Sequence, residues 1–310
     1  MLEEIIHRHP DNPILTASDI PGGASSVFNS ALVRHEGKVV ALLRVERCDG
    51  TQSIRYAESP DGLEFQVTDE VLLVPTAEPQ LTYEEAIYDP RITKIEGTYY
   101  VTYAAENRFG CQVGLARSSD LKHWEKMELI AEPDNRNIVL FPERINGLYC
   151  RLDRPYSGPF GTQQRGGIWV SYSPDLVFWG MHRNIMESRR FHWDRGKIGP
   201  GAPPVKTEAG WLVIYHGTTP YCNGLVYRLG LALLDLEDPT RVIARPAEYL
   251  LSPRETYERV GDVPNVCFAC AAIPSEDGEE LMIYYGGADT CLCLATARIG
   301  ELVEACLKAP

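Results

Sequence analysis

The chain has no long hydrophobic run, and no apolar stretch approaches the ~20 residues that a membrane-spanning helix needs. Its first residues, MLEEIIHRHPDNP, are charged and contain no apolar core of the kind that a secretory signal has. These two absences argue against membrane insertion and export. They predict a cytoplasmic protein.

Positive charge is scarce, with 30 Lys and Arg residues against 43 Asp and Glu, a formal net charge of -13. Such a chain has no general attraction to nucleic acid or to an anionic membrane, so neither is expected as a partner. Any anion must instead be held by a local basic cluster. The phosphate-binding sequence GxxxxGK[ST] is absent as well, which argues against a nucleotide as that anion.

The cysteines are odd in number, nine in all, and the chain shows no export signal, so reduced thiols are expected rather than disulfides. Two close pairs, Cys267 with Cys270 and Cys291 with Cys293, are candidate zinc ligands. Both pairs lie in apolar, strand-like stretches without the loops of a zinc knuckle. We therefore expect these thiols to be small buried hydrophobic groups.

A repeat is the most informative feature that is present. Five times a short polar turn leads into a β-rich stretch with a polar or charged residue at its end; the endings are Arg44, Glu106, Arg154, His216 and Asp289. Three units continue into a Ser-x-Asp turn with an aromatic residue six positions after the serine: YAESPDGLEF, LARSSDLKHW and VSYSPDLVFW. Asp suits the turn, and the aromatic residue is expected to pack between neighbouring sheets. LALLDLEDP is a degraded fourth copy, and LCLATARIG supplies a fifth strand without the aromatic.

The repeat predicts the fold. Apolar–polar alternation, β-branched and aromatic enrichment, and frequent Gly and Pro favour strands over helices. Five units predict an all-β, five-bladed β-propeller, with residues 1–310 as one catalytic domain and GELVEACLKA as a short C-terminal helix. An all-β sandwich with coincidentally similar hairpins is the alternative. The helix is a candidate interface of a homo-oligomer or a brace for a blade, and both interpretations stay open.

Polar residues near the ends of the innermost strands are candidate ligand contacts, because these strands line the channel of a propeller. Five segments precede or open predicted inner strands: VFNSALV, YDPRITKIEG, DNRNIVLFPERING, DRGKIGPGAPPV and GDVPNVCF. Asn29 and Asp89 lie eight residues before the turn glycines Gly37 and Gly97, so we expect them to point into one pocket. The alternative for Asp89 is a simple Asp-Pro-Arg turn with an internal ion pair.

A basic set is spread over successive stretches: Arg136, Arg154, Lys197 and His216. Solvated surface charge is the ordinary interpretation of such residues. Arg154 and His216 argue against it because they follow apolar β-runs, and a buried cation needs an anion. Arginine binds phosphate or carboxylate oxygens in bidentate fashion, and lysine adds a point charge. The set therefore predicts a phosphate or carboxylate site.

Together these segments resemble glycoside hydrolase family 130, the β-mannoside phosphorylases and related mannosidases. The resemblance extends from PDNPIL to YYGGADT and is carried by VFNSA, YDPRI, DNRNIVLFPERING, KIGPGAPPV, YHGT, CNGLVY, GDVPNVCF and YYGGADT. It implies a five-bladed propeller that cleaves β-mannosides with inorganic phosphate as co-substrate. It also implies inversion, release of α-mannose 1-phosphate, and no metal or organic cofactor.

The resemblance assigns roles to single residues. Asp89 is implied as the catalytic acid, its proton passing through a hydroxyl of the mannose ring. The implied phosphate-binding residues are Arg136, Asn137, Arg154, Lys197, His216 and Tyr227. The implied mannosyl contacts are Asn29, Ser30, Arg44 and Asp289, with Tyr88 near the junction with the acceptor sugar.

The chemistry agrees with phosphorolysis. An inverting hydrolase needs two carboxylates ~6.5–9.5 Å apart, whereas phosphate is already a nucleophile and needs a cationic cradle. Two rivals remain: a β-mannosidase of the same family, with carboxylates in place of the phosphate cluster, and a non-catalytic glycan-binding propeller with aromatic platforms at its mouth. The linkage, β-1,2 or β-1,4, and the acceptor are expected to depend on loops at residues 47–53, 76–85 and 156–165.

Overall fold

Five antiparallel sheets are arranged as the blades of a β-propeller in the computed structural model, which describes residues 2–76, 84–156 and 166–308. The innermost strands of successive blades contact one another around the centre. The predicted five-bladed propeller is confirmed, and the sandwich alternative is wrong.

The first three blades follow the chain from the innermost strand to the outermost. The first consists of β2 Ser26–His35, β3 Lys38–Glu46, β4 Gln52–Ser59 and β5 Gln66–Leu73. The second consists of β6 Ala86–Ile95, β7 Thr98–Asn107, β8 Gly110–Ser118 and β9 Glu125–Leu129. The third consists of β10 Asn135–Leu140, β11 Tyr149–Pro155, β12 Ile168–Ser173 and β13 Gly180–Met186.

The last two blades depart from this order. In the fourth, a broken inner strand precedes a long hairpin: β14 Ile198–Pro200, β15 Val205–Thr207, β16 Gly210–Tyr221, β17 Gly224–Leu234 and β18 Val242–Ala244. In the fifth, the outermost strand comes from the N-terminal end of the chain: β19 Cys267–Pro274, β20 Glu280–Gly287, β21 Cys291–Arg298 and β1 His7–Arg8. The sequence repeat gave no sign of this closure of the ring by β1.

The Ser-x-Asp turns form as predicted and join the third strand of a blade to the fourth. In the third blade the Ser173 hydroxyl accepts a hydrogen bond from the Leu176 amide at 2.8 Å, and Asp175 Oδ1 accepts from two further amides at 2.9 Å. The first two blades repeat these bonds. The aromatic residues that follow pack against hydrophobic clusters between blades: Phe65, Trp124 and Trp179.

Helices are few in the described residues. The predicted C-terminal helix is α2 Ile299–Leu307, and it buries Leu302 and Cys306 against the fourth and fifth blades. It therefore braces those blades. A single turn, α1 Thr256–Arg259, and two 3-10 turns, Leu2–Glu4 and Ala17–Asp19, complete the helical elements. No helix in these parts of the chain has the length and apolarity needed to cross a membrane.

The paired cysteines are buried free thiols, as expected. Cys267, Cys291 and Cys293 belong to the hydrophobic core shared by the fourth and fifth blades, and Cys270 packs in a small cluster with Phe268. Within residues 2–76, 84–156 and 166–308, no three His, Cys, Asp or Glu side chains are grouped so that they could hold a metal ion.

Candidate active site

Each inner strand of the first three blades has a β-bulge at an equivalent position. The strand pairing shifts between Phe28 and Ala31, between Tyr88 and Arg91, and between Arg136 and Val139. Each bulge contains a residue with positive φ: Asn29 at 42°, Asp89 at 52° and Asn137 at 61°. Asn and Asp tolerate this left-handed backbone better than most residues, and a bulge changes the direction of its side chain. The bulges thus place three polar residues on the wall of one channel.

Asp89 is buried and held by two donors from the first blade. Asn29 Nδ2 donates to Asp89 Oδ1 at 3.0 Å, and Arg44 Nη1 donates to the same oxygen at 2.6 Å. The other terminal nitrogen of Arg44 pairs with Glu46. Asn29 and Asp89 therefore share one pocket, as the repeat predicted.

Arg91 makes a different contact from the one that the Asp-Pro-Arg alternative requires. Its Nη1 donates to the backbone carbonyl of Asp89 at 2.7 Å, and its Nε donates to the carbonyl of Gly201 at 2.9 Å. The alternative interpretation of Asp89, a turn with an internal ion pair to Arg91, is therefore wrong. Sequence reasoning did not include Arg91 in the site, although the Arg91 side chain stabilises the backbone that carries Asp89.

A cavity of about 250 Å³ opens above Asp89. Three apolar residues of its lining were not predicted: Val263, Val266 and Phe268. The rest of the lining consists of ten of the twelve predicted site residues: Asn29, Arg44, Tyr88, Asp89, Arg136, Asn137, Arg154, Lys197, Tyr227 and Asp289. Ser30 and His216 lie behind the wall. The Ser30 hydroxyl donates to the Phe28 carbonyl at 3.1 Å and accepts from the Arg44 amide at 3.2 Å, so it supports the backbone of Arg44.

Three cations on the cavity wall have no carboxylate within ion-pair distance in the described part of the chain: Arg136, Arg154 and Lys197. Burial, and then the charge of Arg136, lowers the pKa of Arg154 to about 10. Burial, and then the charge of Arg154, lowers the pKa of Lys197 to about 8. Clustered, partly desolvated cations repel one another, and a bound anion removes that penalty. The cluster is therefore a candidate anion site.

His216 corrects the predicted set of cations. Its ring is fully buried and packs on Phe268 with ring centroids 4.5 Å apart. Burial, and then the charge of Arg154, holds its pKa well below the ordinary value, so the ring is neutral. Its Nε2 faces Arg154 Nη1 at 3.3 Å, and a neutral nitrogen can accept from that guanidinium. His216 therefore orients Arg154 and adds no charge of its own.

Gly199 of the KIGPG segment makes this arrangement possible. A Cβ on Gly199 would lie 2.7 Å from His216 Cε1 and 2.8 Å from Arg154 Cδ. Any other residue here would have to displace His216 or Arg154, both of which are buried. The glycine that follows Lys197 is thus explained by close packing of the anion site.

Asp289 is the second carboxylate of the cavity. It follows β20, with a positive φ of 49°, and no side chain or backbone amide of the described residues donates to its carboxylate. Burial, and then the negative charge of Asp89, raises its pKa to about 7. The two carboxylates therefore differ in surroundings: Asp89 accepts from Asn29 and Arg44, whereas Asp289 has no such donor among the described residues and a pKa raised towards neutral pH.

Glu106 is a further candidate residue of the site, and sequence reasoning found it as a repeat ending but left it out of the predicted set. The Tyr88 hydroxyl donates to Glu106 Oε2 at 2.8 Å, so its oxygen is free to accept from Arg136 Nη1 at 3.2 Å. This chain joins the place expected for the acceptor sugar to the anion site. The signal was present, because Glu106 is one of the five repeat endings.

The loops expected to select the acceptor are described only in part. Of residues 47–53, residues 47–51 connect β3 to β4 and the last two begin β4, where Gln52 Nε2 donates to Glu46 Oε1 at 2.9 Å. Residues 77–83 and 157–165, the larger part of the other two loops, lie outside the described residues. The role of these loops in specificity stays a prediction.

Comparisons with known proteins agree on one family. The model of Glyco_hydro_130, described as beta-1,4-mannooligosaccharide phosphorylase, matches residues 7–308. The chain is 37% identical to the beta-1,4-mannooligosaccharide phosphorylase of Ruminococcus albus, covering 97% of this chain and 91% of the relative. It is 34% identical to a 1,2-beta-oligomannan phosphorylase of a Thermoanaerobacter species, covering 96% and 98%. The solved beta-1,2-mannobiose phosphorylase of Listeria innocua, in complex with beta-1,2-mannobiose, aligns with a TM-score of 0.88 at 31% identity, covering 97% and 99%.

Proposed function

The chain belongs to glycoside hydrolase family 130, and we propose that it catalyses the inverting phosphorolysis of β-mannosides. Inorganic phosphate cleaves a β-1,2- or β-1,4-linked manno-oligosaccharide and releases α-mannose 1-phosphate together with the shortened acceptor. One observation carries the proposal: three cations without carboxylate partners in the described residues share a cavity with the ion-paired Asp89. The R. albus, Thermoanaerobacter and L. innocua relatives are β-mannoside phosphorylases, which supports the proposal.

Phosphate is the nucleophile in this proposal. Arg136 and Arg154 supply planar guanidinium forks for its oxygens, and Lys197 supplies a point charge. Held there, phosphate is aligned with the anomeric carbon without further loss of translational freedom at the reaction step. Its own negative charge removes the need for a carboxylate base. Asn137 and Tyr227 line the same wall and complete the phosphate contacts.

Asp89 supplies the proton to the leaving oxygen, relayed through a hydroxyl of the mannose ring. Asn29 and Arg44 stabilise the carboxylate that remains once the proton has left. Arg44 and Asp289 contact the mannosyl ring, and Tyr88 lies at its junction with the acceptor. No metal or organic cofactor is needed for this step. The nine free thiols suit a reducing compartment, which supports a cytoplasmic location.

The two rivals fit the cavity less well. A hydrolase needs a base that activates water opposite the acid, and the wall that holds Arg136, Arg154 and Lys197 is cationic instead. A non-catalytic glycan binder needs no buried acid beside a cluster of cations, and this cavity combines Asp89 with Arg136, Arg154 and Lys197.

The experiment compares β-1,2- and β-1,4-mannosides with and without phosphate, assaying mannose 1-phosphate and free mannose. We expect phosphate-dependent mannose 1-phosphate that persists in a chelator, and the substrate consumed identifies the linkage. Asp89→Asn should lose turnover by at least about 10²-fold, since it removes general acid catalysis, yet still bind phosphate by calorimetry. Free mannose formed equally fast without phosphate would contradict the proposal.

A further inference from the structure

A second groove lies beside the cavity, on the fourth blade. Its volume is about 480 Å³, and its lining combines four aromatic side chains with two arginines: Phe191, Trp193, Arg195, Tyr221, Arg228 and Tyr249. Phe191 is 88% exposed and Tyr221 is 52% exposed. Exposed aromatic side chains do not contribute to the hydrophobic core. A group of them in one groove indicates a binding surface.

The groove opens at the same end of the propeller as the cavity. The residues before β14 run beside the end of β16: the Gly196 amide donates to the Thr218 carbonyl at 2.8 Å, and the Lys197 amide donates to the Thr218 hydroxyl at 2.9 Å. Arg195 faces the groove and Lys197 faces the cavity. Two residues of extended chain span only about 7 Å, so one backbone segment separates the two sites.

The floor of the groove is fixed by its own contacts. Trp193 stacks on Tyr215 with ring centroids 5.6 Å apart and meets the edge of Tyr249 at 6.2 Å. Arg228 donates to the Thr219 hydroxyl at 2.8 Å and to the Ser252 hydroxyl at 3.0 Å, and its guanidinium lies over Tyr249. The exposed rings therefore stand on a rigid base, which lowers the entropy cost of binding.

This lining matches the chemistry of a sugar chain. The C–H faces of a pyranose are apolar and pack on aromatic rings, while its hydroxyls accept from guanidinium groups. A few polar donors set among aromatic side chains are typical of small-molecule sites. The position beside the cavity also indicates which sugar chain would bind, because an oligosaccharide longer than the cavity must extend out of it at this end.

We propose that the groove binds the distal sugar units of β-manno-oligosaccharides whose reacting end occupies the cavity. The groove thereby makes the enzyme prefer chains longer than a disaccharide. The identity of the ligand rests on the proposed function. The existence of a carbohydrate site in the groove stands on the lining itself.

The kinetic test uses Phe191→Ala/Tyr221→Ala with β-mannosides of two to six units. We expect KM for the hexasaccharide to rise about tenfold, since two ring contacts of about 0.7 kcal/mol each are lost. Disaccharide kinetics should stay at the wild-type values. Phe178→Ala is the matched control, because Phe178 is 74% exposed in a turn at the opposite end of the propeller. An equal change in KM at every chain length, or no change at any, overturns the proposal.

A binding test separates this proposal from the proposed function. Calorimetry measures the hexasaccharide on Asp89→Asn protein with and without the two groove substitutions. Binding that weakens with the groove substitutions supports the site even if no phosphorolysis occurs in wild-type protein. Identical affinities for the hexasaccharide with and without the groove substitutions would contradict a carbohydrate site in the groove. A lack of mannose 1-phosphate from every substrate would contradict only the proposed function.

Discussion

Single residues of the anion site differ in how firmly they keep their charge. Arg154 and Lys197 are both partly desolvated and repel one another, yet the pKa of Arg154 stays at about 10 while that of Lys197 falls to about 8. Of these two side chains, the lysine is the one whose pKa lies inside the pH range of an ordinary enzyme assay. The strength of the phosphate site is therefore expected to depend on pH through one side chain.

Lys197→Arg tests that dependence. In wild-type protein without phosphate, Lys197 is charged below pH 8 and loses its proton as the pH rises through about 8. We expect KM for phosphate to rise between pH 7.5 and 9.5 in wild-type protein and to change less in Lys197→Arg, because arginine stays protonated. Lys197→Met should bind phosphate about 10-fold more weakly than wild type at pH 7, and the difference should shrink above pH 8, where the wild-type lysine loses its charge. Parallel pH profiles for wild type and Lys197→Arg would assign the titration to another group.

Glu106 is predicted to act through Tyr88 on Arg136. Glu106→Ala leaves the Tyr88 hydroxyl free to rotate, so its oxygen no longer has to face Arg136. We expect KM for phosphate to rise about fivefold, the equivalent of one hydrogen bond of about 1 kcal/mol. Glu106→Gln keeps an acceptor for the tyrosine and should recover most of the loss.

A double-mutant cycle checks the coupling of this chain. Glu106→Ala and Tyr88→Phe should each weaken phosphate binding, and together they should weaken it little further, because both remove the same chain of bonds. Phosphorolysis kinetics at saturating β-mannoside isolate KM for phosphate. Additive effects would show that Glu106 acts on something other than Arg136.

At the scale of elements, two local structures recur through the blades. The Ser-x-Asp turns depend only on neighbours in sequence, so serine and aspartate at a fixed spacing were enough to predict them. The bulges at Asn29, Asp89 and Asn137 depend on pairing with the next strand. Sequence therefore identified Asn29 and Asp89 as equivalent without revealing the bulge that aims them.

Ser173→Ala tests the contribution of one turn. The Ser173 hydroxyl is buried and accepts from the Leu176 amide, which would be left without its partner. We expect a loss of about 1–2 kcal/mol in the free energy of unfolding, measured in urea. Ser275→Ala is the control, since Ser275 makes similar bonds in an exposed turn where water can replace the hydroxyl. Equal losses in the two variants would contradict the role of burial.

At the scale of the whole molecule, the ring is closed by a strand of two residues. Strand β1 pairs with β21 through His7 and Arg8, and Arg8 Nε donates to the fully buried carboxylate of Glu258 at 2.7 Å. Glu258 also accepts from the Tyr285 hydroxyl at 2.8 Å. The N-terminal and C-terminal parts of the chain are thus held together by one buried ionic network.

Arg8→Met is predicted to weaken the closure strongly. Removing one partner of a buried pair leaves an uncompensated charge and costs about 3–5 kcal/mol. Arg8→Met/Glu258→Gln should recover part of that loss, because the buried charge is gone. Thermal unfolding at pH 7 measures both variants, and equal melting temperatures for wild type and Arg8→Met would contradict the role of the pair.

The same pair predicts how this stability changes with pH. Burial raises the pKa of Glu258, but its hydrogen bonds from Arg8 and from the Arg254 amide outweigh burial, so the pKa is lowered overall. A lowered carboxyl pKa stabilises the folded state at pH above its unfolded value, and the contribution is lost as the pH falls. The difference between wild type and Arg8→Met should therefore shrink in acid.

Sequence by itself determined the number of blades, the Ser-x-Asp turns and the buried cysteines, because spacing within a hairpin also fixes position within a blade. Together with the family resemblance, it also predicted ten of the residues that line the cavity. Tertiary structure alone decided which charges are paired. Arg44 meets Asp89 across 45 residues, and Glu106 reaches Arg136 only through Tyr88. His216 is neutral because it is buried and because Arg154 lies against it. Burial and contact between distant segments set these states, and no single stretch of sequence contains both partners.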